Sequence, residues 1–316
     1  MATPMTAGQL ADRTRRAATA ALRAAKELGV RADRATVLHD AFSVVAHLEP
    51  APVVARIPVV LPSGTDPAQQ NLRRQRELDV AHWLDGQGVP VVRPAPGIPR
   101  APVHRDGFDM TFWELADTAD DHVPYHGVDL SYSAELHARL AGYPEPLPFL
   151  APFNQGLPEL LNRLEPGPLL TGTDIDRAHR EFGALRAVLA DEASFYAAFP
   201  GLTVGPLQGD VPSHNVIRTR TGILFSDFED VCTGPVEWDV ALMGPGATAE
   251  YDAAARARGL RAVDPAAARL VDRARQLQFV GCVALVDELP LLATGLAEAV
   301  EGWRGTAEWA DQAGSW

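Results

Sequence analysis

Lysine is almost missing from this chain: Lys26 is the only one in 316 residues. Arginine therefore supplies the other fixed side-chain positive charges, and any grip on phosphate is expected to be an arginine one. Cysteine is scarce too. Cys232 and Cys282 lie far apart without a CxxC spacing, which indicates neither a disulfide framework nor a zinc site, and both are expected as buried small apolar residues. No uninterrupted apolar stretch reaches the roughly eighteen residues of a membrane span, and the N-terminus lacks the basic, apolar and small-residue order of a signal peptide. No membrane partner is expected, and the cytoplasm is the default. Basic charge is in short supply as well. A net charge of -13 disfavours nucleic acid as a partner and would suit a cationic small substrate better, although acidity is also an ordinary route to solubility.

What the chain has is length and apolar content. With 316 residues, 47% of them hydrophobic, it exceeds what one core fills, and two lobes are expected. Residues 6 to 29 have helical spacing, with an alanine-rich apolar face, a solvated basic face and Gly29 as C-cap. Three extended segments follow, Ala35 to His39, Phe42 to Leu48 and Val53 to Val60, the last two joined by Glu49-Pro50-Ala51-Pro52, which reads as an antiparallel meander. Leu72, Val80, Trp83 and Leu84 mark an amphipathic helix over 71 to 84. A proline-rich stretch from Pro90 to Pro102 leads into an apolar run, Phe108 to Leu115.

From Ser131 the pattern is helical, with periodic segments near 131–141, 155–164, 174–198, 248–259, 265–275 and 277–300. Thr173 with Asp176 reads as a capping-box start to the third. The one turn-rich, β-like interruption is 207–240. The fold class expected is α+β: a small N-terminal antiparallel sheet plus helix over 1–116, with a hinge at 112–117, and a larger helical lobe over 117–316. No repeat of fixed period is found.

The interruption carries the chemistry. In "LQGDVPSHNVIRTRTGILFSDFED", Asn215 follows Asp210 by five positions, and two short apolar runs lead from Asn215 into Asp227. Phosphoryl transfer needs one base to orient a hydroxyl and oxygen ligands to hold magnesium against phosphates. Asp210 suits the first task, Asn215 and Asp227 the second. Capped surface turns also favour these residue types, but the arrival of Asp227 after a hairpin argues for function.

At these residues the chain resembles the aminoglycoside phosphotransferase and choline kinase family, a branch of the protein-kinase-like fold. The resemblance rests on order and spacing: "VVARIP", "RRQREL", "FWELAD", "AELHARLAG", "QGDVPSHN", "SDFED" and "GPVEWDVALM". It implies an ATP-dependent, or GTP-dependent, transfer of a γ-phosphate to the hydroxyl of a small molecule, with Mg2+. It gives Asp210 the catalytic-aspartate role and Asn215 and Asp227 the magnesium. Arg56, paired to Glu77, would reach the α- and β-phosphates, where most relatives use lysine. The carbonyl of Glu114 and the amide of Ala116 would hold adenine at the hinge, and Trp113 would either stack on the base or face the core.

Ser43 in "HDAFSVV" would cap the phosphates or be an exposed strand serine; no Gly-x-Gly-x-x-Gly lid is present. Asp239 would buttress the catalytic loop through backbone amides, and the alternative is an acidic residue complementing a helix start. Gln208 replaces the usual histidine and, as donor and acceptor, would still hold the loop. His214 reads as an exposed loop histidine. If the acceptor carries amines, Glu229 and Asp230, or Glu250, Asp252, Asp287 and Glu288 on later helices, would face it. The acceptor would be an antibiotic or a metabolite such as choline, an amino alcohol or a sugar. The alternative to an enzyme is a weakly catalytic nucleotide-binding sensor, supported by Gln208 and Arg56.

Overall fold

The computed structural model describes residues 4–61, 66–124 and 129–309. Helix α1 (Ala7–Glu27) starts at Thr6, whose side chain accepts from the Gln9 amide in a capping box, and is followed by Gly29 at φ +79°, a conformation that suits glycine. Strands β1 (Arg34–Asp40), β2 (Ser43–Glu49) and β3 (Val53–Pro58) form the expected antiparallel meander. Then come α2 (Pro67–Gly86), β4 (Val103–Arg105) and β5 (Phe108–Glu114), which complete a five-stranded sheet in the order β1-β2-β3-β5-β4.

The pleat decides what this sheet presents to each side. Val53, Ala55 and Ile57 of β3, with Met110 and Phe112 of β5, face the buried alanines of α1. Val54 and Trp113 face the opposite core with Leu78, Ala81 and Leu84 of α2. Arg56 alternates with Val54, pairs in register with Val45 and Thr111, and so projects from the α2 side of the sheet. The buried stripe of α2 runs through Gln70, Arg74, Glu77, Leu78, Ala81 and Leu84. Leu72 does not belong to it, contrary to the periodicity reading: it lies about 200° around the helix from both Gln70 and Arg74 and is 58% exposed.

The second half is helical: α3 (Ser131–Leu140), a π-helical turn at Pro152–Gly156 leading into α4 (Leu157–Asn162), α5 (Gly172–Leu189) and α6 (Glu192–Ala198). Short strands β6 (Gly205–Leu207) and β9 (Cys232–Gly234) pair with each other, and between them β7 (Val216–Thr219) and β8 (Gly222–Phe225) form the expected hairpin. Helices α7 (Gly244–Ala257), α8 (Pro265–Gly281) and α9 (Ala293–Arg304) follow. No helix among the described residues is long and apolar enough to cross a membrane.

Three boundaries differ from the sequence reading. The segment read as 174–198 is two helices, because Asp191 takes an extended conformation and its carboxylate accepts from the Ser194 amide, starting a new helix. The capping box belongs to Thr171 and Asp174, not to Thr173 and Asp176: the Asp174 carboxylate accepts from the Thr171 amide at 2.7 Å and is also bound by Arg304, which favours this register. The segment read as 277–300 divides into the end of α8, two 3-10 turns at Cys282–Leu285 and Pro290–Leu292, and α9; Pro290 lacks the amide an unbroken helix would need.

The helical half is tied together through one buried carboxylate. Glu181 of α5, fully buried, accepts from Arg177, from Arg273 of α8, from Trp303 Nε1 of α9 at 2.8 Å and from the Trp309 amide. Removing it leaves the buried Arg273 guanidinium without its carboxylate, so Glu181→Ala should lower unfolding free energy by about 3 kcal/mol or more. Urea denaturation checks this; a loss below about 1 kcal/mol would contradict the network's role.

Candidate active site

The loop between β6 and β7 holds the first two predicted residues, and its shape has three supports. Asp239, in the 3-10 turn Val236–Val240, is fully buried and accepts from the backbone amides of Gln208 at 2.9 Å and Gly209 at 3.0 Å. His137 of α3 holds the same carboxylate at 3.0 Å, and Trp238 Nε1 donates to the Gly209 carbonyl at 2.8 Å. Burial pushes the Asp239 carboxyl up, against the lowering pull of His137 and the two amides. Gln208 donates to the carbonyls of Ser226 and Asp227 at 2.8 and 3.0 Å, joining this loop to the acidic turn after β8.

Gly209 sits at φ +89°, and a Cβ built on it would lie 1.9 Å from the carbonyl oxygen of Asp230. Only glycine lets the two turns approach this closely.

Within that frame Asn215 turns its Nδ2 toward Gln208 Oε1, Asp210 Oδ2 and the Val211 carbonyl, each at 3.3 to 3.4 Å, so its Oδ1 points away from all three. Asp227 has φ +59°, and its buried Oδ1 makes no hydrogen bond, only an ion contact with Arg56 at 3.0 Å. Burial first, then the nearby carboxylates, outweigh Arg56 and raise the Asp227 carboxyl to about 6.

Arg56 reaches three carboxylates: Glu77 at 2.7 Å, Asp227 at 3.0 Å and Glu229 at 3.1 Å. Burial opposes its charge, but these partners hold the guanidinium firmly protonated. Glu77, buried on α2, is pushed up to about 8 by burial despite Arg56. Asp230 and Glu229 are also met by Arg73 of α2, at 2.8 and 3.4 Å. Burial disfavours the Glu229 charge, yet Arg56 and Arg73 outweigh it and keep that carboxyl below its ordinary range.

Two adjoining cavities open around these groups. An apolar slot of about 240 Å³ is lined by Val45, Val54, Trp113, the backbone-bearing stretch Glu114 to Ala116, and Phe228, with Arg56, Glu77 and Asp227 at its polar end. A larger cavity of about 550 Å³ contains Ser43, Asp210, Asn215, Asp227, Glu229 and Asp230. Asp210, Asn215, Asp227, Arg56, Glu77 and Ser43 are thus gathered around one cleft, Glu114 and Ala116 flank it, and Gln208 and Asp239 stand behind its floor.

Ser43 is buried, which removes the exposed-strand reading. Trp113 is buried in the core and donates to Thr111 Oγ1, while still bordering the slot. His214 is half-buried rather than exposed, and burial lowers its imidazole pKa. Cys232 is buried as expected, whereas Cys282 is only partly so and borders the larger cavity.

The later acidic residues are placed elsewhere. Asp252 caps the Val263 amide, the Asp287 carbonyl accepts from the Met5 amide, Glu288 pairs with Arg163, and Glu250 does not border the cavity. The residue that periodicity did not single out is Arg275 of α8. Its Nη2 lies 2.7 Å from Asp210 Oδ1 and its guanidinium 5.3 Å from the centre of the Trp238 ring. Burial raises the Asp210 carboxyl, but Arg275 and Asn215 outweigh it and hold it below its usual range. No signal local to α8 marked Arg275, since its partner Asp210 lies 65 positions away.

The family model for the phosphotransferase enzyme family matches residues 65–275. The chain belongs to the phosphotransferase enzyme family. It is accordingly an enzyme that phosphorylates a hydroxyl group. No match is found among curated protein sequences. Among solved structures, a microcompartment-associated aminopropanol kinase is 17% identical with a TM-score of 0.60, over 90% of this chain and 94% of that one. A choline/ethanolamine kinase family protein from Mesorhizobium loti is 17% identical with a TM-score of 0.55, over 95% and 97%. A spectinomycin phosphotransferase in complex with ADP and spectinomycin is 11% identical with a TM-score of 0.56, over 93% and 97%. These likenesses establish the two-lobed kinase-like fold.

Gly209→Ala should therefore destabilise this phosphotransferase by more than about 2 kcal/mol, through positive-φ strain plus the clash with Asp230, and abolish its activity. Thermal denaturation and a transfer assay check both, and a variant with the parent's Tm would contradict the close approach.

Proposed function

We propose that the protein transfers the γ-phosphate of ATP, or of GTP, to a hydroxyl of a small molecule, with Mg2+ held in the cleft between an N-terminal lobe of residues 1–116 and a helical lobe of residues 117–316. The observation that carries this is the gathering of Asp210, Asn215 and Asp227 under Arg56, with an apolar slot alongside. The slot suits a nucleobase, with the Glu114 carbonyl and the Ala116 amide as its hydrogen-bonding edge and residues 112–117 as the hinge. The ADP of the spectinomycin phosphotransferase structure supports a nucleotide co-substrate. A nucleoside triphosphate as co-substrate also favours a cytoplasmic setting.

The donor set fits magnesium. No group of three or more His, Cys, Asp or Glu forms a metal cage among the described residues. Mg2+ needs none, because it keeps waters and takes phosphate oxygens beside one or two protein ligands. Asp227 Oδ1, buried without a hydrogen bond, and Asn215 Oδ1 are the two. When bound, the ion neutralises charge on the transferred phosphoryl group.

Asp210 orients the acceptor hydroxyl and accepts its proton as the oxygen attacks the γ-phosphorus and the bond to the β-bridging oxygen breaks. Asn215 holds the Asp210 carboxylate in position at 3.3 Å. Arg56, steadied by Glu77, offers its guanidinium to the phosphates, and Ser43 borders the same space. Gln208 and Asp239 fix the loop that presents Asp210. Catalysis is then mainly positioning and charge stabilisation.

A second reading, a weakly catalytic nucleotide-binding sensor, is favoured by one observation: Arg56 already has three carboxylate partners. Magnesium-dependent nucleotide consumption with a hydroxyl-compound panel, compared with thermal stabilisation by nucleotide alone, separates the two: binding without transfer to any acceptor favours the sensor. Asp227→Ala should remain folded and lose transfer by at least about 100-fold, since it removes a charge that acts on the transition state. A folded variant with undiminished transfer would overturn the assignment. Arg56→Lys, which keeps the charge but not the fork, should weaken nucleotide binding by about tenfold in calorimetric titration; unchanged affinity would remove Arg56 from the phosphate site.

A further inference from the structure

The acceptor side of the larger cavity has a charge pattern opposite to the protein's overall acidity. Its wall is built from the π-helical turn and α4, from α8, and from the 3-10 turns beyond it. Along that wall Leu160, Phe279, Cys282, Leu291 and Leu292 are apolar or nearly so, Gln278 is neutral, and the one charged side chain among the described residues is Arg275. Phe42, from the β1–β2 connection, faces the same space.

The four carboxylates that border the cavity all have arginine partners. Asp210 meets Arg275 at 2.7 Å, Asp230 meets Arg73 at 2.8 Å, and Asp227 and Glu229 meet Arg56 at 3.0 and 3.1 Å. A polycationic acceptor would need carboxylates free to pair with its amines. Here it would instead bring like charge against a guanidinium held between Asp210, Gln278 and the face of Trp238.

We propose that the acceptor is an anionic hydroxyl compound with an apolar body: a hydroxy acid whose carboxylate sits a few bonds from the reacting hydroxyl. Resting on the phosphotransferase reading, this follows from the adjacency of Asp210 and Arg275, which lets one small molecule present its hydroxyl to the first and its carboxylate to the second. Guanidinium offers five N–H donors in a fork, so Arg275 can hold Asp210 and Gln278 and still meet an incoming carboxylate. The hydrocarbon part then covers Leu160, Phe279 and Leu292; Phe279 is 44% exposed without it. Whole-protein acidity suggested a cationic substrate, whereas the Arg275 guanidinium beside Asp210 favours an anionic one.

The test uses the full chain saturated with Mg2+ and AMP-PNP and measures binding of four probes by calorimetry: 3-hydroxyoctanoate, its neutral counterpart 1,3-octanediol, choline and kanamycin. Thermal stabilisation by AMP-PNP is recorded first, and its absence would overturn both the phosphotransferase reading and this inference. With stabilisation present, 3-hydroxyoctanoate should bind about tenfold or more tighter than the diol, and the diol tighter than either cation. Equal or tighter binding of choline or kanamycin, or no preference for the carboxylate over the diol, would overturn the inference alone. Arg275→Gln should erase the carboxylate preference while AMP-PNP stabilisation persists, and Arg275→Lys should keep part of it. A preference that survives Arg275→Gln would overturn the assignment of the carboxylate to Arg275, and the wild-type panel decides the substrate class even if neither variant folds.

Discussion

One largely buried cation organises the candidate site. Arg56 projects from the middle of the N-terminal sheet and draws together Glu77 from α2 and Asp227 and Glu229 from the turn after β8. Arg56 and Glu77 are largely shielded from water and Asp227 and Glu229 partly so, and taking a charge out of water costs several kcal/mol unless a partner compensates. The cluster therefore does more than neutralise itself. It fixes the distance between the sheet and the acidic turn, and so the height of the cleft between them.

The floor of the cleft is set by a different kind of constraint. Asp239 spends its carboxylate on two backbone amides and His137, and Gln208 ties the same loop to the carbonyls of the acidic turn. These are hydrogen bonds to main chain, insensitive to which acceptor occupies the cavity. The cavity wall on α8 stands outside that network except through Arg275 and its contact with Trp238. The floor is thus held by main-chain hydrogen bonds, whereas the α8 wall depends on its own side chains.

Much of this was legible in the sequence for physical reasons. The meander of β1 to β3 follows from short alternating runs separated by turn residues, and the Asp210, Asn215 and Asp227 spacing around a hairpin places three oxygen-bearing side chains on adjoining turns. What misled were local signals with two registers: Thr171-x-x-Asp174 and Thr173-x-x-Asp176 are both capping boxes on paper, and Arg304, distant in sequence, favours the first. Leu72 counted as apolar periodicity though it lies on the exposed side of α2. Arg275 was unreadable as a site residue, since its meaning comes from Asp210, 65 positions away. Net charge could not name the acceptor, because it sums over the whole surface whereas recognition depends on the few groups that line the cavity.

The central claim is that Asn215 and Asp227 seat a metal–triphosphate complex beside Asp210. Its most direct measurement is phosphorus NMR relaxation of ATP with trace Mn2+ in the presence of the protein. The account predicts saturable, protein-dependent enhancement of relaxation at the β- and γ-phosphates, with one complex per chain. Relaxation no different from that of free Mn2+–ATP would contradict it.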